Sequence, residues 1–85
     1  MGTERGPELT VYSRTWCHLC DDMIAGLHAL QVRFRFTLTI VDVDADTALQ
    51  ARYGEDVPVL SHGARELCRH RLDTSVVTDY LAKIS

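Results

Sequence analysis

The sequence predicts a small α/β domain in which a four-stranded mixed sheet is flanked by helices. Short apolar runs suited to strands alternate with segments whose apolar residues recur at helical spacing. A glycine-containing tight turn joins two of the strands. The chain has 85 residues and is 46% hydrophobic, the size and composition of one compact domain. The predicted order of elements is β-α-β-α-β-β-α.

The first part of the chain predicts a strand, a helix and a second strand. Residues 8–13 form a short apolar run, and residues 17–31 place their apolar side chains on one helical face. An apolar–polar alternation that starts at Phe34 predicts a strand ending at residues 42–44. Two strands joined by a helix imply a parallel pair with a right-handed crossover.

A short helix is predicted after the second strand. Asp44 or Asp46 caps its start, and Gly54 is placed to end it. With Asp42, the same aspartates resemble the opening of a calcium-binding loop, but Thr47 stands where such a loop requires glycine. We therefore interpret them as a strand end and a helix cap.

A hairpin and a final helix complete the predicted fold. Strands over residues 57–60 and 65–71 flank a tight turn in which Gly63 supplies a positive φ. Asp73 caps the last helix. The predicted apolar face of that helix comprises Val76, Val77, Tyr80, Leu81 and Ile84.

Charge and composition narrow the classes of function. A formal net charge of −3 argues against a general nucleic-acid-binding protein, which would usually be basic. No apolar run is long enough to span a bilayer. Residues 1–7 predict a flexible tail, without the apolar region of a secretion signal, ahead of a domain over residues 8–85. We expect a cytoplasmic monomer with no nucleic-acid or membrane partner, whose three cysteines serve redox or metal chemistry.

Two cysteines lie where the first predicted strand gives way to the first predicted helix. Cys17 and Cys20 face each other across one helical turn, with Cα atoms roughly 5–6 Å apart, within the range of a disulfide. The start of a helix has unpaired N–H groups and the positive end of the helix dipole, which favour a thiolate. Cys17 is therefore the predicted nucleophile, and Cys20 the predicted resolving thiol.

Charged residues beside the cysteines act in opposite directions. Asp21 and Asp22 would raise the pKa of a nearby thiol, whereas a protonated His18 would lower it. The sequence does not determine which influence is larger.

The segment around the cysteines resembles the active-site loop of glutaredoxins, in the thioredoxin superfamily. That segment reads Tyr12-Ser13-Arg14-Thr15-Trp16-Cys17-His18-Leu19-Cys20. Residues 41–44 are similar to the end of the second strand in this family, and residues 53–58 resemble the approach to its cis-proline. The Cys-His-Leu-Cys-Asp run resembles a group of short glutaredoxin-like proteins. The similarity covers nearly all of residues 8–84.

The resemblance implies a thioredoxin- and glutaredoxin-like fold and a thiol–disulfide oxidoreductase. Cys17 would attack a disulfide of a protein or of a low-molecular-weight thiol, and Cys20 would resolve the mixed disulfide. The resemblance implies no bound cofactor and no metal. It implies only an electron donor such as glutathione or a thioredoxin-type reductase. The substrate, the donor, the reduction potential and the role of Cys68 are not encoded in these patterns.

Five further residues are implied to bind substrate. Arg14, Trp16 and His18 surround the first cysteine. Val57 and Pro58 would form a cis peptide whose backbone pairs with an extended substrate, a form of strand addition.

Three positions depart from the glutaredoxin pattern. His18 and Leu19 separate the cysteines, unlike the pairs of the best-known members. Asp56 stands where glutaredoxins commonly carry threonine. Residues 71–74 lack the paired glycines and acidic pair with which glutaredoxins hold glutathione. Arg14 can still attract a glutathione carboxylate.

The alternative hypothesis is a non-catalytic binding module on the same fold, with structural or zinc-bound thiols. Zinc would require Cys68 and His70, on one face of the fourth predicted strand, to complete the Cys17–Cys20 pair. Otherwise Cys68 is expected to be a buried or half-buried strand residue.

The remaining polar clusters have simple interpretations. The basic run within residues 65–71 is a solvated strand edge or a docking site for an acidic partner. His28 and His62 have no obvious partner, so surface positions are expected for both.

Overall fold

The structure is a computed structural model that describes residues 6–84. The predicted order β-α-β-α-β-β-α is confirmed, with one short 3-10 helix added. The elements are β1 (Glu8–Ser13), α1 (His18–Leu30), β2 (Thr37–Asp42), the 3-10 helix (Val43–Ala45), α2 (Thr47–Tyr53), β3 (Val59–His62), β4 (Arg65–Arg69) and α3 (Thr74–Ile84). Residues 1–5 of the predicted tail, and residue 85, lie outside the described residues.

The strands form one mixed sheet in the order β2-β1-β3-β4. β1 and β2 are parallel and bring Ser13 opposite Asp42. β3 is antiparallel to both β1 and β4. The sheet contacts extend back to Pro7, whose carbonyl accepts a hydrogen bond from the Thr37 N–H at 2.9 Å.

The alternation of side chains along β1 distributes the helices over both faces of the sheet. Leu9 and Val11 are fully buried, and they share one core with side chains of α1 and α3. That core comprises Leu9, Val11, Met23, Leu27, Leu30, Phe36, Leu60, Val77 and Leu81. On the other face, Tyr12 stacks on Tyr53 of α2, with ring centroids 4.2 Å apart. Helices on both faces were predicted, and this is confirmed.

The second strand begins at Thr37, three residues later than the alternation from Phe34 predicted. The amides of Arg33 and Phe34 donate to the Leu30 carbonyl at 3.0 and 2.9 Å, so the chain continues the end of α1 as a turn. Phe36 is buried in the core ahead of the strand. Part of the apolar–polar alternation therefore belongs to a buried connection and not to a strand. An apolar residue at every second position does not by itself distinguish the two.

The first strand of the hairpin lies two residues nearer the C-terminus than predicted, whereas the second begins where predicted and ends two residues earlier, at Arg69. β3 runs to His62 and β4 begins at Arg65, which leaves a two-residue loop whose first residue, Gly63, has a φ of 60°. The positive φ at Gly63 is confirmed. A register shift at Leu60/Ser61 follows in the β3–β4 pairing, a bulge that places Leu67 as the extra residue of the pair.

The predicted helix caps are confirmed. The Asp46 carboxylate accepts hydrogen bonds from the amides of Ala48 and Leu49 at 2.8 and 3.2 Å. The Asp73 carboxylate accepts from the Val76 amide at 3.1 Å. Short polar side chains at these positions satisfy N–H groups that the helices cannot pair internally.

The apolar face of α3 is narrower than predicted. Val77 and Leu81 are buried, whereas Val76 and Ile84 are 43% and 40% exposed. α3 packs on β4, which is an edge strand. Side chains that point past that edge therefore meet solvent rather than a further strand.

Surface positions were expected for His28 and His62. His28 is exposed as expected, His62 is partly buried, and each has a partner that the sequence did not indicate. His62 Nδ1 forms a hydrogen bond of 2.5 Å with the Tyr80 hydroxyl, and the two rings meet edge to face. His28 Nδ1 lies 3.0 Å from Gln31 Oε1 across one turn of α1. The first contact joins β3 to α3, a tertiary pairing that local sequence spacing does not show.

Among residues 6–84, no helix combines the length and the apolar character needed to cross a membrane.

Candidate active site

Cys17 lies at the junction between β1 and α1. It is the N-cap of α1, in an extended conformation with φ of −121°, so the helix begins at His18, one residue later than predicted. The Cys17 sulfur accepts a hydrogen bond from the Cys20 amide at 3.2 Å. The sulfur thus takes the place of the usual N-cap oxygen, where helix N–H groups and the helix dipole stabilise negative charge.

Cys17 and Cys20 are joined in a disulfide, with Cα atoms 5.2 Å apart as expected for residues one helical turn apart. The two sulfur-bearing residues differ in accessibility. Cys20 is 1% exposed and faces the core, whereas Cys17 is half-buried at the surface. An incoming thiol or disulfide therefore reaches Cys17 first.

Trp16 precedes the first cysteine in an unusual conformation. Its φ is 59°, in the left-handed region, and its side chain is 100% exposed. Bulky residues rarely adopt a positive φ, and such backbone strain is concentrated at functional sites. The Trp16 indole therefore projects from the protein directly beside Cys17. On the other side of Cys17, His18 opens α1 and is exposed.

Arg14 is bound to the neighbouring elements of the protein. Its guanidinium forms two hydrogen bonds with the Asp44 carboxylate, at 3.1 and 2.8 Å, and a third with the Gly54 carbonyl at 2.9 Å. Hydrogen bonds from Arg14 and Gln50 hold the pKa of Asp44 below its usual value. Arg14 thus fastens the end of β1 to the 3-10 helix and to the end of α2.

This ion pair of Arg14 was not predicted from the sequence. The parallel register sets Ser13 opposite Asp42, so Arg14 follows the end of β1 close to the place where Asp44 follows the end of β2. This register is the signal from which the ion pair could have been predicted. The predicted contact between Arg14 and substrate stays a prediction.

The Val57–Pro58 peptide bond is cis, as the resemblance implied. The antiparallel register between β1 and β3 ends at Tyr12 opposite Val59. Continuing that register sets Pro58 opposite Ser13 and Val57 opposite Arg14, at the same end of the sheet as the disulfide. The Pro58 carbonyl accepts a hydrogen bond from the His70 amide at 2.7 Å. The backbone N–H and C=O of Val57 form no hydrogen bond within residues 6–84.

Asp56 ties the segment before Pro58 to the end of β4. Its carboxylate lies 3.0 Å from Arg69 Nη1 and 3.7 Å from His70 Nε2. Arg69 also forms two hydrogen bonds with Glu66, at 2.7 and 2.6 Å, and these lower the pKa of Glu66. Aspartate in place of threonine at this position therefore creates an ionic link between the segment before β3 and the end of β4, a contact that was not predicted from the sequence.

The four residues that the alternative zinc hypothesis required are not brought together. Within the described residues, no group of three or more His, Cys, Asp or Glu side chains is placed to hold a metal ion. β4 ends at Arg69, and His70 has a φ of 68°. This turn breaks the alternation that had placed Cys68 and His70 on one face. Cys68 is half-buried opposite Leu60, and burial raises the pKa of its thiol.

Comparison with known proteins identifies the family. A family model described as Glutaredoxin-like domain (DUF836) matches residues 8–82. The solution structure of protein Ne2328 from Nitrosomonas europaea is similar to this chain, with 39% sequence identity and a TM-score of 0.81. The alignment covers 95% of this chain and 99% of the Ne2328 chain. The X-ray structure of protein XcR50 from X. campestris has 32% sequence identity and a TM-score of 0.72. That alignment covers 91% of this chain and 99% of the XcR50 chain.

Thioredoxins share the architecture at lower identity. The germline-specific thioredoxin Deadhead from Drosophila melanogaster is 23% identical, covers 96% of this chain and 84% of its own, and has a TM-score of 0.61. That likeness shows the fold alone. Since the family model spans the whole sheet, both cysteines and the cis-proline, the chain belongs to the glutaredoxin-like family of the thioredoxin superfamily.

Proposed function

We propose that this protein is a thiol–disulfide oxidoreductase that reduces disulfides of proteins or of low-molecular-weight thiols. One observation carries the proposal: the Cys17 sulfur sits at the N-cap of α1, accepts the Cys20 amide, and is bonded to a buried Cys20. This arrangement provides one accessible sulfur whose thiolate is stabilised and one protected sulfur within bonding distance of it.

The reaction proceeds as two thiol–disulfide exchanges. The Cys17 thiolate attacks one sulfur of the substrate disulfide, forms a mixed disulfide, and releases the other substrate sulfur as a thiol after protonation. The Cys20 thiolate then attacks the Cys17 sulfur and releases the second substrate thiol. The substrate gains two electrons and two protons, and the protein is left with the Cys17–Cys20 disulfide.

The surrounding residues give this exchange its geometry. Trp16 supplies an exposed ring beside the attacking Cys17 sulfur, and His18 flanks that sulfur on the helix side. Val57 offers an unpaired backbone N–H and C=O to an extended substrate, as in strand addition. Pro58 holds this backbone at the sheet end that carries the disulfide. Arg14 lies at the same end of the sheet, where its ion pair with Asp44 holds the end of β1 in place.

Turnover requires a donor that returns two electrons to the disulfide. Glutathione or a thioredoxin-type reductase fits this role, and the reducing cytoplasm is the compartment that we propose. No bound cofactor is needed for the exchange itself.

The experiment compares three single cysteine variants in a disulfide-reduction assay with dithiothreitol as the donor. Cys17→Ser should abolish reduction. Cys20→Ser protein that is reduced beforehand and then mixed with the substrate without dithiothreitol should accumulate a mixed disulfide between Cys17 and the substrate, visible by mass spectrometry of the intact protein. Cys68→Ser is the matched control and should retain activity. Full activity of the Cys17→Ser protein would contradict the proposal.

A further inference from the structure

The segment between α2 and β3 carries Val57, whose backbone pairs with substrate in the proposed function. In the part of the chain that the structure describes, the Val57 N–H and C=O form no hydrogen bond. The N–H belongs to the planar peptide unit that joins Asp56 to Val57, so its direction depends on where Asp56 is held. The contacts that fix Asp56 therefore fix the N–H group that a substrate would meet.

Two arginines hold this segment from opposite sides of β3, which lies between β1 and β4 in the sheet. On the β1 side, Arg14 donates to the Gly54 carbonyl at 2.9 Å. On the β4 side, Arg69 Nη1 lies 3.0 Å from a carboxylate oxygen of Asp56. The chain is thus attached on both sides just before it reaches Val57.

Arg69 is itself held by the hairpin. It lies opposite Val59 in the β3–β4 pairing, and its guanidinium forms two hydrogen bonds with Glu66, at 2.7 and 2.6 Å. A guanidinium that binds a carboxylate through two parallel bonds keeps a defined orientation. Asp56 therefore meets a cation whose position is set by β4, rather than a mobile side chain.

The residue after Arg69 secures the other side of Val57. The His70 amide donates to the carbonyl of Pro58, a fully buried residue, at 2.7 Å. His70 Nε2 also lies 3.7 Å from the Asp56 carboxylate. The end of β4 thus contacts the residue before Val57 and the residue after it, while the backbone of Val57 itself stays open.

The link between Asp56 and Arg69 is specific to an acidic residue at this position. Threonine, which glutaredoxins commonly carry here, has no carboxylate to offer a guanidinium. The two side chains remain partly exposed, at 38% for Asp56 and 42% for Arg69. An exposed ion pair contributes little to stability, so its removal can be studied at the substrate site of a folded protein.

We propose that Arg69 is a positioning residue for disulfide substrates that have a peptide backbone. Through Asp56 it sets the direction of the Val57 backbone groups, with which an extended substrate forms main-chain hydrogen bonds. Arg69 takes no part in the exchange between sulfurs. The inference rests on the proposed function and adds to it a preference for peptide disulfides over small disulfides that lack amide groups.

The test measures the release of 2-thiopyridone by reduced protein that carries Cys68→Ser, the parent protein of this experiment. One substrate is a peptide whose single cysteine is linked to 2-thiopyridine, and the other is 2-mercaptoethanol linked in the same way. Attack of the Cys17 thiolate on the peptide or mercaptoethanol sulfur releases the coloured thione. Cys20 then releases the bound thiol and leaves the Cys17–Cys20 disulfide. The dependence of the rate on concentration gives a maximal rate and a half-saturation concentration.

Three variants of the parent protein isolate the contribution of Arg69. Arg69→Gln and Asp56→Asn should each raise the half-saturation concentration of the peptide by roughly two- to fivefold, the range of an exposed ion pair, without changing its maximal rate. The double variant should be no worse than either single one, because both changes break the same contact. Arg65→Gln is the matched control: it removes the same charge from the other end of β4, where Arg65 lies over the Tyr80 ring, and should keep the parent value.

A second peptide shows whether the effect passes through the main chain of the substrate. It is N-methylated at its cysteine and at both neighbouring residues, which removes the main-chain donors next to the sulfur. Its half-saturation concentration in the parent protein should exceed that of the first peptide. Arg69→Gln should then raise it by a smaller factor, because the pairing with Val57 is already weakened.

The mercaptoethanol compound separates this inference from the proposed function. Release of thione from that compound tests the oxidoreductase activity, and none of the variants should alter either of its parameters. An unchanged half-saturation concentration for the first peptide in Arg69→Gln would overturn the inference and leave the activity standing. An equal rise for both peptides, or an equal rise for the mercaptoethanol compound, would overturn it in the same way.

Discussion

The contact between Gly26 and Leu72 connects the segment between β4 and α3 to the middle of α1, and it makes a quantitative prediction. A Cβ added at Gly26 would lie 2.6 Å from the Leu72 Cδ2, so in Gly26→Ala the leucine must withdraw. Alanine gains about 1 kcal/mol over glycine inside a helix. Overpacking costs about 1–3 kcal/mol, and the low end applies because the displaced atom ends a flexible side chain. The two effects should nearly cancel.

The Leu72→Ala background separates the two effects. There the overlap is absent, so Gly26→Ala should express its full helix preference and stabilise the protein by about 1 kcal/mol. The double-mutant cycle should therefore show a coupling energy of roughly 1 kcal/mol or more between the two sites. Urea denaturation of all four proteins, with the cysteines kept reduced, measures it. Equal stabilisation of about 1 kcal/mol by Gly26→Ala in both backgrounds would refute the packing.

Three further predictions concern single residues. Ser61 has a buried hydroxyl without a hydrogen-bond partner among the described residues, so Ser61→Ala should not lower the free energy of unfolding in urea; a loss would reveal a hidden partner. Asp46→Ala removes the acceptor of two α2 amides and should cost about 1 kcal/mol, whereas Asp46→Asn retains most of the cap. Burial raises the pKa of Cys68. In a Cys17→Ser/Cys20→Ser protein, the alkylation rate of Cys68 should therefore reach half its maximum at a higher pH in the folded protein than in the unfolded protein. Identical half-maximal pH values for the folded and unfolded protein would contradict this.

Features set by local sequence were predictable. The aspartate caps, the positive φ of Gly63 and the strand-to-helix position of Cys17 depend on a few neighbouring residues. The cis bond at Pro58 came instead from the family resemblance, because an isolated Val-Pro pair does not specify it. The order of the elements followed from their periodicities.

Features that depend on tertiary contacts were missed or misplaced. Phe36 was assigned to a strand because burial in a connection gives the same pattern as burial in a sheet. The pairing of His62 with Tyr80 joins residues 18 positions apart. The ion pair between Arg14 and Asp44 joins residues 30 positions apart. These contacts become visible only once the register of β1, β2 and β3 is known.

The left-handed conformations of Trp16 and His70 had no sequence signal either. Neither residue is a glycine; a bulky residue such as tryptophan is rare at positive φ, and histidine, although enriched there, adopts a negative φ in most positions. Both lie next to the candidate active site, one before Cys17 and the other beside Pro58. Departures from local preference are expected where a site, rather than stability, determines the backbone.

The central claim is that Cys17 and Cys20 form one redox-active couple. A redox titration with alkylation trapping, read by peptide mass spectrometry, tests it most directly. The account predicts that the two cysteines oxidise together in a single two-electron step between roughly −200 and −270 mV, the range of glutaredoxins and thioredoxin, while Cys68 stays reduced. Cysteines that remain reduced throughout, or a disulfide between Cys68 and either of them, would contradict it and favour the non-catalytic binding module.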